Sequence, residues 1–354
     1  ICTGDGMSLA YRVGAPLMDM EMVQYHPTTL KSNGALMSEA ARGEGAYLIN
    51  ADGERFMERY APNMMELASR DVVSRSEQTE INEGRGKDGC VFLDCRHLGE
   101  KKISESLSQI RELGKDFANV DMLYEPVPIR PGMHYQMGGI KTNVDGETIV
   151  PGLYAAGETA CVSVHGGNRL GANSLLDTLV FGRRSGEHAA GLVKGKSHKA
   201  INDSAANGDR EHIQKMLNRD DAEGFGQVRL EMGQVMNQHL AVFREQAGME
   251  EAKSKLVGLR ERYASVSVTD KGKTFNTNLI FTLELGFMLD CAEAIAVGAT
   301  ERRESRGAHF RTDMQDRNDE NWLKHILLTR GTEGPEISHL PVVIMQWTPE
   351  ARKY

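Results

Sequence analysis

Long apolar runs, a basic excess and a cysteine framework are all missing from this chain of 354 residues. Lys and Arg number 42 against 50 Asp and Glu, a net charge of −8. That balance argues against a nucleic-acid partner, whose phosphates need a basic face. The 5 cysteines (Cys2, Cys90, Cys95, Cys161, Cys291) are odd in number, scattered and without a CxxC. They exclude a disulfide scaffold and a Cys-rich zinc or iron–sulfur site, and they fit a reducing compartment. No metal site is read from the sequence. The most apolar stretch, Asn278 to Ala299, carries Glu284, Asp290 and Glu293 and reads as a buried helix rather than a membrane span. Residues 1–10 lack the basic and apolar regions of a targeting signal. Proline is scarce at 10 while glycine reaches 37, which points to tight turns and close backbone approaches. Hydrophobic residues at 40% and charged residues at 26% exclude disorder and suit a soluble globular chain. The first residue is Ile1, and Thr3-Gly4-Asp5-Gly6 reads as a turn inside a domain. The chain is therefore expected to begin partway through a larger protein.

Along the chain, residues 1–30 read as a glycine turn followed by a mixed stretch, Met18 to Pro27. A strand is expected around Ala46-Tyr47-Leu48-Ile49, with a turn at Asn50 to Gly53. Leu67 to Glu83 reads as a helix closed by Gly84, and Gly89 to Asp94 as a short strand. Ile103, Leu107, Ile110 and Leu113 recur at helical spacing, giving a helix to about Phe117. Glycines cluster between Pro126 and Arg184, and Ser174 is expected to cap a helix reaching about Ala190. Residues 195–210 read as a linker. Three helical patterns then imply a bundle, and the tail from Ser305 is polar until Val342-Val343-Ile344.

Four short segments combine cationic groups, histidines and glycine turns. They are Tyr25-His26-Pro27-Thr28, Ser38-Glu39-Ala40-Ala41-Arg42-Gly43-Glu44-Gly45, Met133-His134-Tyr135-Gln136-Met137-Gly138-Gly139 and His165-Gly166-Gly167-Asn168-Arg169-Leu170-Gly171. Each alone has a bland reading. His26 suits a strand end held by a backbone carbonyl, Arg42 with Glu44 an exposed ion pair worth little, and His134 a satisfied turn residue. Arg70 suits a helix-surface charge paired with Asp71 or Glu66. His165 reads as structural. Arg169 is less bland, because so much glycine around one guanidinium gives a loop unusual backbone freedom.

Together, in this order, the four segments resemble the flavoprotein subunit of succinate dehydrogenase and fumarate reductase. Further matches run almost end to end: Thr3-Gly4-Asp5-Gly6, Asp19-Met20-Glu21-Met22, Gly53-Glu54-Arg55-Phe56-Met57, Ala68-Ser69-Arg70-Asp71, Leu153-Tyr154-Ala155-Ala156-Gly157-Glu158, Asn173-Ser174-Leu175-Leu176, Glu304-Ser305-Arg306-Gly307-Ala308-His309 and Asp319-Glu320-Asn321-Trp322. L-aspartate oxidase shares the His-Pro-Thr and Arg-Gly-Glu-Gly motifs, but the Gln136 to Gly139 turn and the 304–322 segment look more like the respiratory enzymes. The family's N-terminal dinucleotide fingerprint GxGxxG does not occur after a strand in this chain, so the resemblance is to the C-terminal portion of the subunit.

The resemblance implies specific roles. His26, Ser38, His134 and Arg169 map onto the residues that bind a four-carbon dicarboxylate, whose two charges need convergent cations and donors. Ser38 stands where relatives often have Thr. Ala41 stands where several carry a thiol, so thiol-directed inhibition there should be lost. Arg70 matches the proton-transfer group, and Glu39 and Arg42 the residues that relay the proton to solvent. An arginine is ordinarily protonated, so as a donor it starts in its favoured form. Asp5, Glu158, Ser174 and Leu175 match FAD contacts, with the helix opening at Ser174 offering free amides and a positive dipole end.

The fold class implied is a partial α/β flavin-binding domain (1–19 and 134–195) with an α+β substrate-capping domain (20–133), a helical bundle (196–300) and a C-terminal extension (301–354). The implied partners are an iron–sulfur subunit and, through it, membrane anchor subunits. They would place the chain on the cytoplasmic face of the inner membrane or the mitochondrial matrix side. Two alternatives stand beside this reading: an aspartate oxidase-like flavin oxidase, which oxygen alone would reoxidise, and a truncated inactive fragment.

Overall fold

The structure is a computed structural model that describes residues 2–197, 203–220 and 222–350. The chain forms two compact units, one of Ile1–Met22 with Gln136–Val342 and one of Val23–Tyr135 with Val343–Tyr354.

The 23–135 unit is built on a four-stranded sheet in the order Val23–Leu30, Val127–Gln136, Val91–Asp94, Tyr47–Ile49. Leu48, Val91, Leu93, Val127 and Ile129 are fully buried and share one apolar core with Phe56, Met57, Val73, Ile103 and Leu107. The helix Arg70–Asn82 packs on the strand Val23–Leu30. That strand was not read from the sequence, because Pro27 lies inside it. Proline removes a ladder donor and is confined to sheet edges, and Val23–Leu30 is an edge strand. The expected helix from 103 to 117 is two helices, Gly99–Ser106 and Ser108–Ala118, parted at buried Leu107.

The other unit carries a five-stranded sheet ordered Ala160–Cys161, Gly139–Lys141, Leu17–Met18, Lys324–Arg330, Pro335–Pro341. Its last two strands form a hairpin where the sequence reads only as a polar tail. The apolar signal there is a run of three, Ile326-Leu327-Leu328, flanked by charge. The opening residues hold a helix, Asp5–Arg12, behind the expected turn. Gly138 and Gly139 are close approaches rather than a loose bulge. A Cβ on Gly138 would stand 2.2 Å from the Asp19 carbonyl oxygen, and one on Gly139 would stand 2.7 Å from that of Thr159.

The helices Phe225–His239, Gln246–Tyr263 and Thr277–Glu301 bundle as expected. Neither the bundle nor the segment beyond 301 forms a compact unit of its own. Asp290 on the long helix accepts from Ser8 (2.5 Å), Arg12 (2.7 Å) and Arg260 (2.7 Å), tying it to the helix Asp5–Arg12. Ala294 joins the core of Met7, Leu17 and Ile326. The expected linker at 195–210 is helical from Asn207, and its residues 198–202 lie outside the described residues.

Candidate active site

Arg70 is the first residue of the helix Arg70–Asn82, which follows extended Ser69. Ser74 one turn on donates to the Tyr25 carbonyl oxygen at 3.2 Å and so fixes the helix against the edge strand. Arg70 then reaches two elements at once. Its Nε and Nη2 donate to Glu39 Oε2 at 3.1 and 2.6 Å, and its Nη1 donates to Gln24 Oε1 at 3.1 Å. Glu39 also faces Arg42 Nη2 at 3.3 Å. Arg42 Nη1 donates to the Glu66 carbonyl oxygen, while the Glu66 carboxylate takes a fork of two bonds from Arg55 at 2.8 and 2.6 Å. Three of the expected residues, Arg70, Glu39 and Arg42, thus form one hydrogen-bonded and ion-paired row. Arg70 pairs with Glu39 rather than Asp71 or Glu66, and Arg42 is fully buried rather than an exposed partner of Glu44. Burial pushes the Arg42 guanidinium below its ordinary pKa, against the pull of Glu39 and Glu77. The side chains of Arg70, Glu39 and Arg42 are 11%, 41% and 0% exposed, so Glu39 meets solvent and Arg42 is the sealed end.

His26 and His134 sit on neighbouring strands with ring centroids 5.0 Å apart, edge to face. His26 is fully buried, and its Nδ1 accepts the Thr28 amide at 3.2 Å, so a neutral His26 carries its proton on Nε2. The Thr28 hydroxyl donates to the Met37 carbonyl oxygen at 2.6 Å, which anchors the segment leading to Ser38. Ser38 Oγ accepts the Ala40 amide at 3.2 Å, and Ala41 is fully buried.

In the other unit Arg169 is buried, and its Nη1 donates to the Leu170 carbonyl oxygen and to Ser174 Oγ, both at 3.3 Å. Ser174 does not cap its helix. The helix Asn173–Val193 is preceded by Ala172 at φ 62° and has no side-chain cap, and its Asn173 and Leu175 amides donate to the Leu170 and Ala172 carbonyl oxygens at 3.2 and 3.0 Å. His165 Nε2 lies 3.3 Å from Asp177 Oδ2 and Nδ1 3.4 Å from Asn173 Nδ2. Burial lowers the His165 pKa against the pull of Asp177. Glu158 Oε1 accepts the Gln136 amide at 3.1 Å, and the Gln136 side chain donates to the Met20 carbonyl oxygen at 3.1 Å. Asp5 Oδ1 accepts the Thr3 hydroxyl at 2.6 Å. Leu175 is exposed, with Leu170, Leu176 and Leu179.

Two family models match the chain, the FAD binding domain over residues 1–175 and the fumarate reductase flavoprotein C-term over 229–354. The succinate dehydrogenase flavoprotein subunit of Rickettsia conorii is 46% identical over 99% of this chain and 61% of that protein. The fumarate reductase flavoprotein subunit of Haemophilus influenzae is 42% identical over 100% of this chain and 62% of that protein. The fold matches E. coli quinol fumarate reductase with a TM-score of 0.93 at 40% identity, over 99% of this chain and 63% of that one. This chain belongs to the succinate dehydrogenase and fumarate reductase flavoprotein family. It spans a little over three-fifths of the length of these relatives. The architecture is the family's, a mixed α/β FAD-binding part with a C-terminal helical part.

The residues present fit the cofactor that the first family model names. The helix Asn173–Val193 opens without a side-chain cap, its positive dipole end suited to an electron-rich group, while Leu170, Leu175, Leu176 and Leu179 leave apolar surface beside it. Asp177 is the buried residue of that helix, so a covering surface is needed along the rest.

The family motifs alone did not reveal Gln24, Glu66, Glu77 and Asp177. Gln24 lies two residues before His26, and strand alternation places both on one face. Glu77 lies seven residues after Arg70, two turns along the same helix face. Glu66 and Asp177 carried no local signal, since their partners come from distant segments or across a turn.

Proposed function

We propose that this chain is the substrate-handling portion of a flavoprotein that interconverts succinate and fumarate. The observation that carries the reading is the clamp on Arg70. A guanidinium held from both sides by Glu39 and Gln24, with Glu39 in turn facing Arg42, is oriented for directional proton transfer.

In fumarate reduction Arg70 donates a proton to one olefinic carbon and recovers it from Glu39, the member of the row that meets solvent. In succinate oxidation the proton runs the other way. FAD, when bound, gives the hydride in one direction and takes it in the other. His26, Ser38, His134 and Arg169 bind the two carboxylates, Arg169 with a bidentate grip. Asp5, Glu158, Ser174 and Leu175 hold the flavin, and the positive dipole end of the helix Asn173–Val193 stabilises negative charge on its reduced form. Residues 1–19 and 134–195 form the flavin side, 20–133 the substrate cap, 196–300 the helical part and 301–354 the extension. Electrons pass to or from an iron–sulfur subunit. Among the described residues no helix is long and apolar enough to cross a membrane. Membrane anchor subunits hold the assembly at the cytoplasmic face of the inner membrane or at the matrix side.

The test is Arg70→Ala in a full-length, FAD-loaded holoprotein. Loss of a positioned acid should lower fumarate reduction by about 10²–10⁴-fold or more, with flavin content unchanged and dicarboxylate affinity only modestly altered. Arg70→Lys keeps the charge but not the two-sided clamp, and should retain a small fraction of turnover. Near-normal turnover in Arg70→Ala would remove the assignment.

A further inference from the structure

Glu77 is a carboxylic acid inside the 23–135 unit with no exposure, and among the described residues neither of its carboxyl oxygens has a hydrogen-bond partner. A buried polar group without a partner is costly, and this one shares a helix with Arg70 of the proton-transfer row. It sits two turns from Arg70 on the same face of the helix Arg70–Asn82, and Ser74 between them is pinned to Tyr25. Among the described residues the charge that acts on Glu77 is Arg42, and after Glu39 it is Glu77 that acts most strongly on Arg42 in return. Arg42 Nε, also fully buried, has no hydrogen-bond partner among the described residues. The buried guanidinium is thus ion-paired with Glu39, which leads to Arg70, and also feels the charge of Glu77.

Other titratable groups on the elements packed around this helix are committed elsewhere. Asp94 pairs with Arg96, and Glu80 takes bonds from Arg59, Tyr60 and Arg85. Glu66 holds Arg55, and His26 takes the Thr28 amide.

We propose that Glu77 is a positioning residue for proton transfer: its protonated form leaves Arg42 to Glu39, and its ionised form draws Arg42 away. Burial raises the Glu77 carboxyl well above its ordinary pKa, so the fold holds it protonated where an exposed glutamate is ionised. Glutamine is a mimic of the protonated acid. With Arg42 fully on Glu39, the Glu39 carboxylate is shared and Arg70 is released to the substrate. With Arg42 drawn off, Glu39 grips Arg70 alone and turnover falls.

This inference rests on the proposed proton role of Arg70, and the experiment separates the two. In the full-length, FAD-loaded holoprotein, kcat and KM for fumarate reduction are measured against pH for wild type, Glu77→Gln and Glu77→Met. The expected result is equal kcat at acid pH and a variant-to-wild-type ratio of about twofold or more on the alkaline limb, with KM unchanged throughout. Superimposed profiles, or a ratio constant across pH, would overturn the proposal. An infrared carbonyl-stretch band of a protonated carboxyl at neutral pH, present in wild type and lost in Glu77→Gln, is the second readout. It needs no turnover, and its absence from wild type overturns the proposal even where the variants fold poorly. Absence of fumarate turnover in wild type would instead count against the succinate–fumarate reading.

Discussion

Arg169 illustrates how much a single side chain carries here. It is 5% exposed, within a loop rich in glycine, and turned toward Ser174 at the head of the helix Asn173–Val193. A buried guanidinium that grips a substrate carboxylate leaves an unpaired charge when it is removed. Arg169→Ala should therefore weaken binding of malonate-like dicarboxylates by about 2–5 kcal/mol while the melting temperature shifts little. Unchanged inhibition by malonate in the holoprotein would take Arg169 out of the site. The residues proposed for the chemistry were legible in the sequence because each lies in a short motif with an unusual composition. Their partners were not. Gln24 is an ordinary glutamine until strand alternation sets it on one face with His26, and Glu77 is an ordinary helix glutamate until folding buries it. Burial is a property of the assembled sheet and helix, and no local pattern around Glu77 announces it.

At the scale of elements, the 23–135 unit is fastened by a buried carboxylate, Glu80, that takes two arginines. Glu80, fully buried, accepts from Asn50 at 3.0 Å, Arg59 at 3.0 Å, Tyr60 at 2.7 Å and Arg85 at 2.7 and 2.8 Å. Burial would raise its pKa, but the bonds from Arg85, Tyr60 and Asn50 outweigh it and bring it down to about 2. A carboxyl depressed in the fold contributes stability that is complete above its ordinary value of 4.5 and drains away as pH falls toward about 2. Glu80→Gln should cost about 1–3 kcal/mol at neutral pH, because a buried carboxylate that accepts several charged hydrogen bonds is replaced by a neutral amide, although Arg59 keeps Glu54 and Arg85 keeps Glu83, and it should flatten the acid side of the stability curve. Urea unfolding of both proteins at pH 7 and pH 3 checks this, and equal wild-type and variant stability at pH 7 would refute it. Helices with clear apolar spacing, such as Thr277–Glu301, were readable in advance. The strand Val23–Leu30 and the hairpin of Lys324–Arg330 with Pro335–Pro341 were not, because Pro27 masks the first and three apolar residues are too few to mark the second. The N-cap at Ser174 failed for a different reason. Its hydroxyl serves Arg169 instead of the backbone, and Ala172 starts the helix from a left-handed conformation.

For the molecule as a whole, the family resemblance carried the architecture that propensities could not. Asp290 and Ala294 bind the long helix into the same compact unit as the helix Asp5–Arg12 and the strand Leu17–Met18. The helix Asn173–Val193 keeps its leucines exposed around buried Asp177, a surface that suits coverage by flavin. The central claim is that these parts handle succinate and fumarate. It is tested most directly by reducing the flavin of the full-length holoprotein under strict anaerobiosis, adding fumarate, and following reoxidation together with the product. The account predicts one succinate formed for each flavin reoxidised, with no oxygen and no protein partner required. A flavin that stays reduced under excess fumarate, yet is reoxidised at once by oxygen, would contradict it.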